Sequence, residues 1–438
     1  MNRSLVLCCI LYICLSAEGL SDRRAVRPLA DEYRVLARSP DPLSVYCYTP
    51  GLARCPDGRL VATMEFGGKG VSSLPAPKVG TGRGILFTSD DRGKRWVYRT
   101  HFPIGHARPF WAGDRLYVLG HAGDLRIMMS QDRGESWSNP VFITKGQSWH
   151  QSACNVHYAK GYIYLVMERR IHHDVKCWGV SELAPVLMRG KIEDDLTLAE
   201  NWTFASELAF CDAISDKDMD WLGVPFFPAF YPECISPSLG RGCAPIGWLE
   251  TNVVQFLDPD HIWYDEKAAT FHLWMRAHTG TTNLAAIAQA TENEDGTMTT
   301  SLVKAPSGKH MVFVPCPGGQ MRFHILYDER TGLYWLLSSQ STDSMCKPEQ
   351  LPWNRYNLPN NERHRLQLHF SSNCVDWCFA GLVAMGKTPS QARHYASMVI
   401  DGDDLHVLSR SGDERAKSAH DGNMITFHTV KNFRRLVY

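Results

Sequence analysis

The groups in this chain that could do chemistry stand in short polar stretches, each just before or at the start of an apolar run. They are Tyr48-Thr49-Pro50, His106-Ala107-Arg108, His150-Gln151, Glu250-Thr251-Asn252, Asp260-His261, Gln320-Met321-Arg322-Phe323-His324 and Gln391-Ala392-Arg393-His394-Tyr395. Tyrosine, histidine and glutamate pass protons, and arginine binds anions through a planar fork of donors. Brought together, they would make a site for an acidic, proton-exchanging substrate. Read singly, each could equally satisfy a buried strand end. The two readings part only if the fold makes the stretches converge.

Two repeats say how they converge. Ser89, Asp91, Gly93 and Trp96 fit S-x-D-x-G-x-x-W, and Ser130, Asp132, Gly134 and Trp137 fit it again 41 residues later. Serine and aspartate bond backbone groups across a tight turn, glycine supplies a positive φ, and tryptophan covers the hairpin. A period of about 40–50 residues suits a four-stranded propeller blade. A second repeat, apolar strand, polar turn, apolar strand, occurs six times. Its turns are Pro56–Arg59, Ala112–Arg115, Ala159–Gly161, Asp265–Lys267, Asp328–Gly332 and Asp401–Asp404. Gly and Asp between β-rich runs are hairpin signals. The expected fold is all-β, a six-bladed β-propeller over residues 43–438 with an arm at 20–42 that helps close the ring, and no second domain. Long loops are expected between Leu208 and Trp248 and over Ser341–Arg363. The first strand of each hairpin then lines a central funnel, which gathers the polar stretches.

The repeats resemble the Asp boxes of the sialidase (neuraminidase) superfamily. Ser371–Trp377 resembles a shortened third box. Three further segments carry the resemblance. Glu250-Thr251-Asn252-Val253-Val254, with a next strand ending in Trp274-Met275-Arg276, is similar to the family's E-x-x-V-V segment and its site arginine. Arg363 with Leu366 leads into the shortened box as the family's R-x-x-L does, with Arg365 as the alternative. Tyr395-Ala396-Ser397-Met398 is similar to the segment that carries the catalytic tyrosine. The resemblance implies Tyr395 as nucleophile and Glu250 as its base, with Arg276 and Arg363 gripping a carboxylate sugar. A neutral phenol beside a carboxylate keeps a negative nucleophile away from a negative substrate. The structural alternative is a core Tyr395 and an Arg276 that only pairs with Glu250.

The sequence also departs from the family. Tyr48 stands where its first arginine is expected, with Arg54 near but expected on the opposite side of the pleat or further along. Its acid/base aspartate is expected between Glu65 and the first box, yet Phe66 to Ser89 contains no Asp and no Glu. Glu65, His106 and His150 are the substitutes by chemistry. The remaining substrate-binding candidates are Arg108, Arg322 and Arg393.

Composition narrows the classes. The 438 residues carry 46 basic and 46 acidic side chains, so a net charge of zero argues against nucleic acid and against an anionic membrane as partner. Asn2-Arg3, the apolar run Leu5–Leu15 and the small residues Ala17 and Gly19 predict a signal peptide over 1–19, a secreted protein, extracellular or periplasmic, and no membrane association after cleavage. Of 14 cysteines, three leave with that segment. The odd remainder implies a free thiol or an intermolecular bridge, and a disulfide is expected within Cys211, Cys234 and Cys243. There is no CxxC pair, no Walker loop and no Rossmann fingerprint, so neither cofactor nor metal is expected. His172-His173-Asp174 reads as charged loop residues.

Three functions fit. The first is an exo-acting, sialidase-like glycoside hydrolase on a glycan with an acidic sugar. The second is a polysaccharide lyase, whose base and cations would come from Tyr48, His106, His150, His324, Arg322 and Arg393. The third is a non-catalytic glycan-binding propeller, favoured by the missing arginine and aspartate. All three make carbohydrate the partner.

Overall fold

A computed structural model describes residues 26–75, 82–214, 226–227, 229–238, 241–347, 350–351 and 361–438. The expected signal segment 1–19 and the start of the arm lie outside the described residues. The chain forms six antiparallel blades around a central channel. Each of the six turns read from the sequence joins the first two strands of a blade. The fourth sits in a longer connection from Val254 to Thr270.

Blade one runs through Tyr46–Arg54, Leu60–Gly67, Arg83–Ser89 and Val97–Phe102. Blade two uses Gly105–Ala112, Arg115–Ala122, Asp124–Ser130 and Val141–Phe142. In blade three the innermost strand is broken: Trp149–His150 and His157–Ala159 both pair with Tyr162–Arg170, followed by Leu183–Lys191 and Trp202–Phe204. Blade four comprises Gly247–Val254, Thr270–His278, Leu284–Glu292 and Met298–Ser301; blade five, His324–Asp328, Leu333–Ser339, Arg365–Ser371 and Cys378–Met385. Blade six takes Arg393–Asp401, Asp404–Ser411 and Met424–Val430, and its outer strand is Arg34–Arg38 from the other end of the chain. The arm therefore closes the ring by strand pairing, which removes an edge that would otherwise be open.

Apolar side chains fill the space between neighbouring blades. Trp248, Trp274 and Trp335 are fully buried there. The two S-x-D-x-G-x-x-W repeats fold alike. Ser89 Oγ accepts the Gly93 N–H at 2.9 Å and Asp91 accepts the Arg95 N–H at 2.8 Å; Ser130 and Asp132 do the same for Gly134 and Ser136 at 2.7 and 2.9 Å. Gly93 and Gly134 hold φ of 79° and 90°, where a side chain would be strained. At Ser371, Asn373 replaces the aspartate and accepts the Val375 and Asp376 N–H groups at 2.9 and 2.8 Å, so the shorter turn keeps the same logic.

The expected disulfide is corrected. Cys234 pairs with Cys177, which lies on the loop after the second strand of blade three, and not with Cys211 or Cys243. The bridge ties the long loop before blade four to blade three.

Candidate active site

Four inner strands share one local device. The pairing of strands one and two slips between Tyr48 and Gly51, Gly105 and Arg108, Leu249 and Asn252, and His394 and Ser397. Inside each slip one non-glycine residue takes a positive φ: Thr49 at 41°, His106 at 51°, Glu250 at 58° and Tyr395 at 49°. A bulge bends its strand and re-aims a side chain, and a positive φ on such residues costs about 1–3 kcal/mol each. All four line one cavity of about 960 Å³ at the same end of the channel. The strain is spent where the chemistry-bearing side chains converge.

The centre of the cavity is a connected trio. Arg276 Nη1 donates to the Tyr395 hydroxyl at 2.6 Å and to Glu250 Oε2 at 3.3 Å, and Arg276 Nε donates to the Gln320 carbonyl at 2.8 Å. Tyr395 and Glu250 thus share the Arg276 guanidinium and lie close enough to influence each other electrostatically. Burial pushes the Tyr395 phenol up, and the nearby Glu250 adds to this, so the phenol is neutral. Burial also pushes Glu250 up, but the Arg276 guanidinium and the Tyr395 hydroxyl outweigh it and hold the carboxyl below its usual range. A charged base therefore faces a neutral phenol whose oxygen already accepts from a cation. Ser152 Oγ donates to the other Glu250 oxygen at 3.2 Å and fixes its orientation.

Arg363 and Arg410 flank the trio, with guanidinium carbons 5.6 and 5.4 Å from the Tyr395 ring centroid. Arg363 donates to Asn361 Oδ1 at 3.2 Å and meets His394 Nδ1 at 3.1 Å. Arg365, the alternative, instead bonds Glu362 and Thr342 and does not line the cavity. Tyr48, in the place of an expected arginine, lies under Arg410, 4.0 Å from its ring centroid, and donates to Asp421 at 2.8 Å. Arg410 thus brings a third guanidinium to the position Tyr48 leaves uncharged. Sequence reading missed it, because it ends the second strand of blade six and belongs to no motif. The polar run that follows, His420 and Asp421, packs behind Tyr48 and closes that wall.

The charged lining is cationic in balance: Arg126, Arg276, Arg363 and Arg410 against Glu65 and Glu250. On another wall Glu65 meets His106 Nδ1 at 3.3 Å, and Thr49 Oγ1 meets the same nitrogen at 2.8 Å. His121 and His150 stand beside them. Trp178, next to the disulfide, lies 43% exposed on the cavity and stacks over Arg276. Sequence reading also missed His121 and Trp178.

Seven of the ten residues singled out from the sequence meet here: Tyr395, Glu250, Arg276, Arg363, Tyr48, His106 and His150. Three do not. Arg108 turns to the opposite end of the channel, donating to the Ser152 and Val166 carbonyls at 3.3 and 3.1 Å. Arg322 is buried in the channel, bonded to the Ala153 carbonyl and Ser397 Oγ. Arg393 caps the Ala392 and Gly412 carbonyls and lies over Tyr33. His172 and Asp174 are loop partners of Asp212 and Tyr231.

No family model matches the chain. A stretch of 113 residues is 33% identical to a sialidase of Bacteroides fragilis, spanning 23% of this chain and 20% of that protein. The solved Trypanosoma rangeli sialidase in complex with sialic acid superposes with a TM-score of 0.51 at 13% identity, over 94% of this chain and 60% of that one. A protein of unknown function from Dyadobacter fermentans gives 0.50 at 12% identity, over 91% and 98%. The fold is the six-bladed sialidase-type propeller, and the resemblance to a divergent sialidase-like protein is borne out at that level.

Proposed function

We propose that the protein is a glycoside hydrolase that removes a terminal acidic sugar from a glycan, with Tyr395 as nucleophile and Glu250 as its base. The observation that carries this reading is the trio itself. A buried neutral phenol and a carboxylate held ionised are both bonded to one guanidinium, which stabilises the phenolate as it forms. Arg363 and Arg410 supply the forks for the substrate's carboxylate, beside the nucleophile. The Trypanosoma enzyme, which binds sialic acid, has the same fold and supports sugar as the substrate class.

Glu250 takes the Tyr395 proton as the phenol oxygen attacks the anomeric carbon. The leaving oxygen must gain a proton from another wall, and the Glu65–His106 pair is the group placed there to give it. Water then attacks the anomeric carbon and gives its proton to the Glu65–His106 pair, while Glu250 returns the first proton to the departing Tyr395 oxygen. Export fits the apolar N-terminal segment and the Cys177–Cys234 bridge, since disulfides persist in oxidising compartments.

The test is release of free sugar from sialylated, uronate and neutral oligosaccharides, with Tyr395→Phe in parallel. Release from an acidic substrate by the wild type, lost in the variant, is expected. Unsaturated uronate absorbing in the ultraviolet would mean a lyase, and binding without turnover on every substrate would mean a lectin-like propeller.

A further inference from the structure

His106, His121 and His150 present one ring nitrogen each within 4.8 Å of one another. They come from three strand positions: the blade-two bulge, the end of the second strand of blade two, and the start of blade three. All three line the cavity. The ring centroids are 5.3, 5.6 and 5.9 Å apart.

Two features separate this cluster from ordinary packing. The Nε2 atoms of His121 and His150 are buried and make no hydrogen bond among the described residues. Buried polar atoms are nearly always paired, so two orphans in one cluster ask for a partner. One ligand is held from behind: His106 Nδ1 meets Glu65 and Thr49. A carboxylate or carbonyl behind an imidazole, fixing its tautomer and aiming the far nitrogen, is the usual support of a metal-binding histidine.

We propose that His106, His121 and His150 form a binding site for a divalent transition-metal ion of the zinc class, with its remaining coordination open to the cavity. Three imidazoles and an open position are a known ligand set for such an ion, with Zn–N distances of about 2.0–2.1 Å. That sets nitrogens about 3.4 Å apart in a tetrahedral site, within reach of small side-chain rotations. No thiolate or carboxylate is among the three ligands, which suits zinc, cobalt or nickel better than calcium or magnesium. Such an ion would acidify a bound water beside the Glu65–His106 wall, where the proposed reaction needs a proton. That consequence rests on the glycosidase reading; the binding itself does not.

The test loads the chelator-stripped full chain with Co²⁺ alone, in the wild type and in Tyr395→Phe, so that turnover plays no part. One cobalt per chain is expected, with visible bands of a low-coordinate nitrogen site and no thiolate charge-transfer band. His121→Ala and His150→Ala should each abolish it. Glu65→Gln, which removes a support but no ligand, should weaken binding by about 10–100-fold. Should a histidine variant fail to fold, Glu65→Gln decides alone, and unchanged affinity there overturns the proposal. It also fails if the wild type binds no stoichiometric cobalt. It fails again if a thiolate band appears and vanishes in Cys211→Ser, which would assign the ion to His172, Cys211 and Asp212 instead.

Discussion

At the scale of residues, anion recognition depends on a guanidinium that no motif announces. Arg410 lies on Tyr48 and beside Tyr395, anchored by the His420 backbone. A charged hydrogen bond contributes about 1.5–3 kcal/mol. Arg410→Ala should therefore weaken binding of a sugar acid by about 10–150-fold while leaving a neutral sugar almost unaffected, measured by calorimetry. Equal loss for both sugars would make Arg410 merely structural. The sequence made Tyr395, Glu250, Arg276 and Arg363 legible because each stands in a short motif. Arg410 was not legible, since its role depends on the neighbouring strand that carries Tyr48. The misplacement of Arg108 has a plain cause: alternation counts every second residue onto one face, and the bulge at Gly105–Arg108 breaks that count.

At the scale of elements, blade three is tied to the bulge of blade four by one buried carboxyl. Glu168 Oε1 accepts from the Thr251 N–H at 3.0 Å, its hydroxyl at 2.6 Å and Gln151 Nε2 at 3.1 Å, while Oε2 has no partner among the described residues. Burial, with the Glu250 charge adding to it, pushes this carboxyl up to about 8 despite the Thr251 bonds. The folded state then holds a proton that the unfolded chain, with an ordinary value of 4.5, has released. Stability from this group is full below about pH 4.5 and falls as pH rises towards 8. Glu168→Gln keeps an acceptor for the same donors and cannot ionise. Its stability relative to the wild type should climb between pH 4.5 and 8, by a few kcal/mol on the order of magnitude, in denaturant titrations. A difference independent of pH would mean that Glu168 is ionised in the fold. The six hairpins were readable because turn residues and alternation are local signals. The bulges that aim the site were not, because a slip in register is a property of two strands.

At the scale of the whole molecule, the ring is closed by Arg34–Arg38 against Met424–Val430, and buried histidines sit throughout its blades. Burial holds His369 and His428 at about 4, against an ordinary 6.5. The unfolded chain binds protons first, so their contribution is complete above pH 6.5 and is lost as pH falls towards 4. His369 Nδ1 has no partner among the described residues, and the ring packs edge-on against Phe379. His369→Phe should flatten the fall in stability over that window by roughly 3 kcal/mol, followed by thermal melts at each pH. An unchanged slope would place the acid sensitivity elsewhere. Architecture was the most legible level, since repeats report topology directly. The disulfide was the least, since Cys177 and Cys234 are 57 residues apart and share no spacing rule.

The central claim is that Tyr395 attacks the sugar. It is tested most directly by intact-protein mass after rapid acid quench of the enzyme with an activated acidic glycoside, followed by peptide mapping. One added sugar on the peptide that contains Tyr395, absent in Tyr395→Phe, is the predicted result. Steady sugar release with no adduct at Tyr395, or with release retained in Tyr395→Phe, would contradict it.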